Sequence, residues 1–246
     1  MKLVSVNIEW QKHLDTVAAL LAREAADVVT LMEVVATDVS TLAGGQYSYT
    51  AFMPNCRVGE QISGVAILSR YPISMVAKLY CGRGSETDIP IRGTGTHAPV
   101  VLLADVATPE GVYRIGAVHF TWTPDGQPTP EQERDVATLL AYLSQYQPLI
   151  LAGDFNIPRK VNRLYDTLHA HLIDNIPEDV VNSIDPDLHY ANKEEHGKLS
   201  LMVDYVWTTP EYTARDVRLV SGVSDHCGVV ATISRTETPA RGRSEP

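Results

Sequence analysis

The order of apolar and polar positions predicts strands and helices that alternate near both ends of the chain. Apolar residues at helical spacing indicate amphipathic helices, and short runs rich in β-branched residues indicate strands. The predicted helices are residues 13–24, 130–146 and 162–171. The predicted strands are residues 3–8, 27–32, 47–53, 64–69, 99–107, 112–120, 149–152, 201–207, 215–220 and 227–233. This alternation, with a strand-rich middle, favours a mixed α/β domain with more than one sheet.

Length and composition are those of a globular protein. The chain has 246 residues, of which 44% are hydrophobic and 20% are charged, and both values are typical of globular domains. One large domain or two small ones would fit this length. The segment 235–246 is polar and has no apolar periodicity, so we expect it to be a flexible tail.

The net charge of −10 counts against broad, sequence-blind coating of nucleic acid, which usually needs a basic excess. A cation-binding cleft would account for part of the acidic excess. The cysteines Cys56, Cys81 and Cys227 are widely spaced, so we expect small buried side chains rather than disulfides or a zinc site. No apolar stretch has the length of a signal sequence or a membrane span. We therefore expect a cytoplasmic protein without stable membrane association.

Polar and charged side chains stand at or next to the ends of several predicted strands. Glu33 follows the apolar run 28–32, and Asp154 and Asn156 follow the run 149–152. The other side chains in such positions are Asn7, Glu9, His119, Asp204, Asp225 and His226. Ligands in α/β folds gather at the carboxyl ends of strands, and carboxylates in apolar surroundings are costly unless paired or metal-bound. Any one of these residues alone is more often a cap or a packed side chain, but their number suggests one acidic cluster.

Together these residues resemble the endonuclease/exonuclease/phosphatase superfamily over residues 3 to about 232. The most specific segments are Gly-Asp-Phe-Asn at 153–156 and Ser-Asp-His at 224–226, each next to a predicted strand. The supporting segments are Asn7 and residues 31–33, 64–70, 118–120 and 203–206. Because these segments follow the family's order from the first strand to the last, we expect one domain over residues 1–234. The resemblance implies an α/β (α+β) fold, a four-layer α-β-β-α sandwich of two mixed β-sheets flanked by helices.

The resemblance also implies a magnesium site, with manganese as the alternative, and oxygen ligands suit both ions better than zinc. Glu33 would be the principal metal ligand, with Asn7 and Asp225 close by. The metal would act as a Lewis acid at the phosphate. The sequence leaves the role of Glu9 open between the metal shell, the substrate and a solvated position.

Cleavage of a phosphoester needs an aligned water and stabilised charge on the phosphate oxygens, and the resemblance implies which residues supply them. Asp154 would orient and deprotonate the water, and Asn156 would hold the same water or a phosphate oxygen. His226 would donate to a phosphate oxygen, with its ring held by Asp204. His119 would be a second donor or the acid for the leaving group. A histidine at this position resembles the deoxyribonuclease-like branch rather than the abasic-site branch.

Three further side chains are candidates for substrate binding. Trp122 follows His119 and would stack on a base or sugar, or else pack under its own loop. Arg159 and Lys160 follow the Gly-Asp-Phe-Asn turn and would contact phosphates on the rim of a cleft, or else begin a solvated helix. The Gly-rich region 81–96 is a weaker candidate for a substrate loop.

These features favour a magnesium-dependent phosphoesterase, with a nuclease acting on DNA or RNA as the first hypothesis. A lipid or sugar-phosphate head group is the alternative substrate, which the acidic charge favours slightly. A non-catalytic binding module of the same fold is the third hypothesis, and the intact set of candidate site residues argues against it. The sequence indicates no oligomeric state.

Overall fold

Two six-stranded sheets form the centre of the structure in the residues described. The computed structural model describes residues 1–92, 97–189 and 199–236. The strands are β1 (Lys2–Asn7), β2 (Val28–Val35), β3 (Tyr49–Val58), β4 (Gln61–Ser69), β5 (Ile73–Tyr80), β6 (Val100–Thr108), β7 (Gly111–His119), β8 (Ile150–Asp154), β9 (Ile173–Asp174), β10 (Asp204–Thr208), β11 (Tyr212–Val220) and β12 (Gly228–Arg235). The helices are α1 (Leu14–Glu24), α2 (Val39–Ala43), α3 (Pro130–Leu143) and α4 (Leu164–His169), with a short 3₁₀ helix at Ala36–Asp38. The strand order is β11-β12-β1-β2-β4-β3 in the first sheet and β5-β6-β7-β8-β10-β9 in the second.

Alternating side chains of the strands build two cores. Leu3 of β1 lies in the core that joins the two sheets. Val4, on the opposite face of the same strand, packs with Leu20 and Leu21 of α1 in a second core outside the first sheet. The two-residue period of a strand produces this division. Helices cover the outer faces, so the predicted four-layer sandwich is confirmed.

Each sheet contains one pair of neighbouring parallel strands. The connection between the two strands of each pair contains a helix, as parallel pairing requires. β1 and β2 are joined through α1, and β7 and β8 are joined through α3. The start of α3 was predicted from its sequence. Pro130 occupies the first turn, and the Thr129 side chain accepts a hydrogen bond from the Gln132 amide at 3.2 Å, which caps the helix.

The sequence pattern did not reveal three elements. β5 lies at the edge of the second sheet, and Ser74 and Lys78 interrupt its apolar residues because an edge strand has solvent on one side. α2 and β9 span only five and two residues, which is too short for a periodic signal. In the predicted tail, residues 237–246 lie outside the described part of the chain.

Two findings concern the cysteines and the helices of the chain. Cys56, Cys81 and Cys227 are free and buried. No helix among residues 1–92, 97–189 and 199–236 has the length and hydrophobicity needed to cross a membrane.

A buried carboxylate joins the end of α1 to the first sheet. Glu24 is 7% exposed, and its oxygens lie 2.8 Å from Lys2 Nζ, 2.6 Å from Arg218 Nη2 and 3.1 Å from Arg23 Nε. The hydrogen bond from Lys2 lowers the pKa of Glu24 most, burial opposes it, and the two arginines lower it further, to about 2. The ionised form therefore stabilises the fold.

Replacing Glu24 with glutamine should lower the free energy of unfolding at pH 7 by about 1 kcal/mol, the size of a partly exposed ion-pair network. The folded pKa of about 2 lies below 4.5, the ordinary value for a glutamate. The stabilisation is therefore fully present above pH 4.5 and is lost as the pH falls towards 2. Urea unfolding at pH 7 and pH 3 should show a smaller difference between wild type and E24Q at the lower pH. The exposed Glu60→Gln is the matched control, and an equal difference at both pH values would contradict this account.

Candidate active site

The ends of neighbouring strands bring the candidate residues together around Asp154. Asp154 ends β8, and its register partners on the adjacent strands are His119 of β7 and Asp204 of β10. In the other sheet, Asn7 ends β1, and Glu33 stands one residue beyond the partner of Asn7 on β2. Both sheets therefore contribute to one site.

One oxygen of Asp154 is the meeting point of three side chains. Oδ2 accepts a hydrogen bond from Asn7 Nδ2 at 3.2 Å. It also lies 3.8 Å from His119 Nε2 and 4.0 Å from His226 Nε2. Glu33 Oε1 lies 3.4 Å from Asn7 Nδ2 and 3.8 Å from His119 Nε2. An amide and two imidazoles thus surround a buried carboxylate, with a second carboxylate beside them.

Backbone conformation determines how this edge of the fold presents its side chains. Gly153 has φ +152°, and a Cβ there would lie 2.0 Å from the carbonyl oxygen of Val118 on β7. Only glycine fits that approach, which explains the first residue of the Gly-Asp-Phe-Asn segment. Glu33 has φ 57° where the register of β2 against β4 shifts, and such a bulge re-aims a side chain.

The His226 ring is bound to a carboxylate. Its Nδ1 lies 2.8 Å from Asp204 Oδ2, and both side chains are buried. Burial lowers the pKa of His226, but the hydrogen-bonded Asp204 and the charges of Asp154 and Asp225 outweigh burial and raise it well above its usual value. These neighbours therefore favour the protonated form of His226, and its Nε2 lies 4.0 Å from Asp154 Oδ2.

The His119 ring has a different partner, an amide. Its Nδ1 lies 3.2 Å from Nδ2 of Asn55, a buried residue of β3. The ring of His97 stacks on it, with centroids 3.5 Å apart. Burial and, after it, the charge of His226 lower the pKa of His119 to about 3. Sequence reasoning missed Asn55, although an amide within a strand-like run was a signal that could have identified it.

Most of these residues line a cavity of about 540 Å³, which we call the active-site cavity, whereas Asn7 and Asp204 lie behind the lining residues. Asp154, Asn156, His119 and His226 form part of its wall, together with Glu33. The further lining residues used below are Glu9, Trp10, Arg92, His97, Trp122, Asp125 and Asp225. The geometry therefore joins a buried acid–imidazole cluster to a space large enough for a small phosphorylated group.

The sequence model of the Endonuclease/Exonuclease/phosphatase family matches residues 4–226. This match covers most of the chain and includes Asn7, Glu33 and His226. The chain belongs to this family. Family members are phosphoester hydrolases and generally use a divalent metal. No curated protein matched the sequence significantly.

Solved structures of the endonuclease/exonuclease/phosphatase family have the same fold. A family protein from Leptotrichia buccalis is 18% identical with a TM-score of 0.73, covering 95% of this chain and 99% of that one. A 3′ phosphatase from Neisseria, bound to a product DNA hairpin, is 20% identical with a TM-score of 0.67, covering 95% and 99%. A mannosyl-6-phosphatase from Bacteroides thetaiotaomicron is 12% identical with a TM-score of 0.68, covering 95% and 99%. At these identities the likeness shows the fold.

The residues present fit the divalent metal that the family generally uses. Glu33, Asp154 and Asp225 offer oxygen donors, which suit a hard cation. The Asn7 oxygen accepts from the Glu9 backbone amide at 3.2 Å, and Asn7 Nδ2 faces Glu33 and Asp154. Burial, followed by neighbouring acids, raises the pKa of Asp154 to about 7 and that of Asp225 to about 6, and a bound cation would favour their ionised forms. Asp154, Asp204 and His226 also have ligand atoms within 4.8 Å of one another. The His226–Asp204 bond already engages two of them, so the oxygen set is the better cation site.

Of the three predicted substrate contacts, the structure brings one to the active-site cavity. Trp122 lines the cavity and is 43% exposed. Arg159 is directed elsewhere, because its guanidinium binds Asp174 at 3.2 Å and the carbonyl oxygens of Ile176, Pro177 and Val180. These contacts give Arg159 a role in holding its own loop, and its phosphate contact stays a prediction.

The structure also shows where Lys160 and Glu9 lie relative to the cavity. Lys160 is exposed and is not among the residues that line the active-site cavity. Glu9 does line the cavity. Its carboxylate is bound to Lys12 and lies 3.1 Å from His13 Nε2, so two basic side chains already engage it.

Replacing Glu33 with glutamine should weaken Mg²⁺ binding by at least about tenfold, because one charged oxygen ligand is lost. Isothermal titration calorimetry with MgCl₂ measures this affinity directly. Mg²⁺ should also raise the melting temperature of the wild type more than that of E33Q, since a ligand stabilises the folded state that binds it. Glu178→Gln, an exposed position, is the control and should bind like the wild type. Equal affinities for wild type and E33Q would remove Glu33 from the metal site.

Proposed function

We propose that this protein is a magnesium-dependent phosphoesterase that cleaves its substrate by in-line attack of water, with manganese able to replace magnesium. The observation that carries the proposal is the meeting of Asn7, His119 and His226 at one oxygen of buried Asp154. A structural cation site would not need two imidazoles beside its oxygen ligands.

The metal would be held by Glu33 as its principal ligand, with Asn7 and Asp225 close by. When bound, it supplies Lewis-acid stabilisation of the charge that develops on the phosphate. The remaining chemistry belongs to side chains of this chain.

Asp154 is the base in this proposal. Its pKa of about 7, raised by burial and then by Asp204, matches the operating range of a general base. Asp154 Oδ1 accepts a hydrogen bond from the Asn156 backbone amide at 2.9 Å. Oδ2 faces the two imidazoles that would bind the phosphate, so Oδ2 is the oxygen that takes the proton from water in this proposal. Asn156 Nδ2 donates to the Phe120 carbonyl at 3.1 Å, which leaves its second amide hydrogen and Oδ1 for the water or a phosphate oxygen.

The two histidines act as hydrogen-bond donors to the phosphate. His226, held by Asp204, presents a charged Nε2–H. Charged donors form the stronger hydrogen bonds to anionic oxygens. His119, on the neighbouring strand β7, presents its Nε2 3.8 Å from Asp154 Oδ2.

We also propose that residues 1–234 work as one domain, because the candidate site draws on residues from Asn7 to His226. Three free cysteines suit a reducing compartment, and we propose the cytoplasm as the location, without stable membrane association.

We propose nucleic acid, DNA or RNA, as the substrate. Trp122 is exposed at the active-site cavity, and exposed aromatic rings stack on unpaired bases. Trp10 also lines the cavity, with the guanidinium of Arg92 4.6 Å above its ring. This pair offers a second flat surface with a positive charge. The structural neighbour from Neisseria, whose name describes a 3′ phosphatase bound to a DNA hairpin, supports the same substrate class.

A sugar-phosphate or lipid head group is the second candidate, and one observation favours it. Among the described lining residues, five are acids and Arg92 is the single Lys or Arg. A polyanionic strand would meet little positive charge beyond the metal, whereas a compact phosphomonoester needs only the metal and the two histidines. The neighbour named a mannosyl-6-phosphatase has the same fold.

Replacing Asp154 with asparagine should lower kcat about 10²–10⁴-fold, the usual contribution of a general base, while the fold is retained because the two side chains have the same shape. Circular dichroism and urea unfolding check the fold. Asp179→Asn, an exposed position that does not line this cavity, is the matched control and should keep wild-type turnover. Full activity of D154N would show that another group activates the water.

A substrate panel separates the candidates. The purified protein is incubated with single- and double-stranded DNA and RNA, a 3′-phosphorylated oligonucleotide, sugar phosphates and phospholipid head groups, first with Mg²⁺ and then with EDTA. Mg²⁺-dependent cleavage of nucleic acid is the expected result. Release of inorganic phosphate or a head group from the small substrates alone would favour the second candidate. Inactivity towards every substrate would leave the non-catalytic binding module.

A further inference from the structure

The two histidines that face Asp154 have chemically opposite partners. His226 Nδ1 lies 2.8 Å from a carboxylate, that of Asp204. His119 Nδ1 lies 3.2 Å from the amide nitrogen of Asn55. A carboxylate accepts hydrogen bonds, whereas an amide nitrogen donates them. The Asp204 partner therefore requires a proton on Nδ1 of His226, and the Asn55 partner requires a lone pair on Nδ1 of His119.

The other nitrogen of His119 independently indicates where the ring carries its proton. Nε2 lies 3.8 Å from both Glu33 Oε1 and Asp154 Oδ2. A lone pair on Nε2 would face two acceptor oxygens, whereas an N–H there faces them favourably. A proton on Nε2 leaves Nδ1 as the acceptor of a neutral ring, which is what the Asn55 amide nitrogen requires.

His97 restricts the same ring from its face. The two imidazoles are stacked at 3.5 Å with an interplanar angle of 19°. His97 Nε2 donates to the Phe120 carbonyl at 2.7 Å, which anchors it beside β7. The Ala98 amide donates to the Asn55 carbonyl at 2.8 Å, so the backbone links the segment that carries His97 to the strand that carries Asn55.

We infer that Asn55 and His97 are positioning residues that hold His119 as a neutral ring with its proton on Nε2. The inference rests on the proposed function only for its catalytic consequence. His119 then offers its Nε2–H to the phosphate as a hydrogen-bond donor. The chain thereby obtains two Nε2 donors that face the same oxygen of Asp154, one held by a carboxylate and the other by an amide.

The side-chain oxygen of Asn55 is buried and has no hydrogen-bond partner among the described residues. An asparagine turned the other way would use this oxygen to accept from Nδ1–H of His119. The proton would then leave Nε2, and its lone pair would face the two carboxylates. The orientation with Nδ2 towards His119 avoids that repulsion. The protonation of the two ring nitrogens of His119 can be measured by spectroscopy.

Nuclear magnetic resonance decides the tautomer without reference to activity. Long-range ¹H–¹⁵N correlation spectra of the full chain, with EDTA and again with Mg²⁺, distinguish protonated from unprotonated ring nitrogens, and His119→Gln identifies the His119 signals. At pH 7 the expected result is a protonated Nε2 and an unprotonated Nδ1. A protonated Nδ1 in the wild-type protein would overturn the inference.

Asn55→Asp tests the cause, because a carboxylate can only accept from His119. In this variant the proton should appear on Nδ1. Asn175→Asp makes the same change at an amide bonded to Val206 and Thr208 on β10, and it should leave the His119 spectrum unchanged. An unchanged spectrum in N55D would show that Asn55 does not select the tautomer.

Asn55→Leu removes the hydrogen bond at similar volume. With the substrate found by the panel, kcat should fall about 10–100-fold, the usual cost of losing a partner that orients an active-site ligand, and KM should change less than threefold. Wild-type kcat in N55L would overturn the positioning role. If the panel yields no substrate, the proposed function fails while the spectrum still decides the state of His119.

Discussion

The buried carboxylate of Asp154 is the constraint on which the site depends. A carboxylate that is 2% exposed is costly unless donors or a cation surround it, and the ends of several strands converge to supply them. Asn7 comes from the first sheet. His119 and Asp204 come from the second sheet, where they are the register neighbours of Asp154. Burial also raises its pKa to about 7. The same desolvation that makes the ionised form of Asp154 costly therefore brings its pKa near neutral, as its proposed role as a base requires.

The sandwich provides this environment because strands of both sheets end at the same edge of the fold, next to one another. Leu3 and the other residues of the core between the sheets hold the strands in register, and a one-residue slip would send every side chain to the opposite face. The close approach of Gly153 to Val118 and the bulge at Glu33 adjust the edge locally. The acidic net charge of the chain is in part a property of this edge, where Glu9, Glu33, Asp154 and Asp225 line one cavity.

Much of the fold could be predicted because periodic patterns are local. The amphipathic helix at residues 14–24 and the strands before Glu33, His119 and Asp154 repeat their signal over several residues. The pattern failed at β5, whose edge position mixes polar and apolar residues, and at α2, which is too short to be periodic. Similarly, Arg159 looked like a phosphate contact beside the Gly-Asp-Phe-Asn turn. Its partners, Asp174 and nearby carbonyls, come from a segment whose proximity the sequence does not reveal.

The sequence by itself determined the residue types of the site and their place at strand ends, and through them the family. Tertiary structure decided which side chains meet. Asn55 and His97 lie far from His119 in the sequence, and only the packing of the two sheets and ring stacking bring them next to it. The proton positions that we infer for the two rings depend on the same contacts, because the proton of an imidazole follows its partner in space. A carboxylate beside His226 and an amide beside His119 give two identical residues different chemistry.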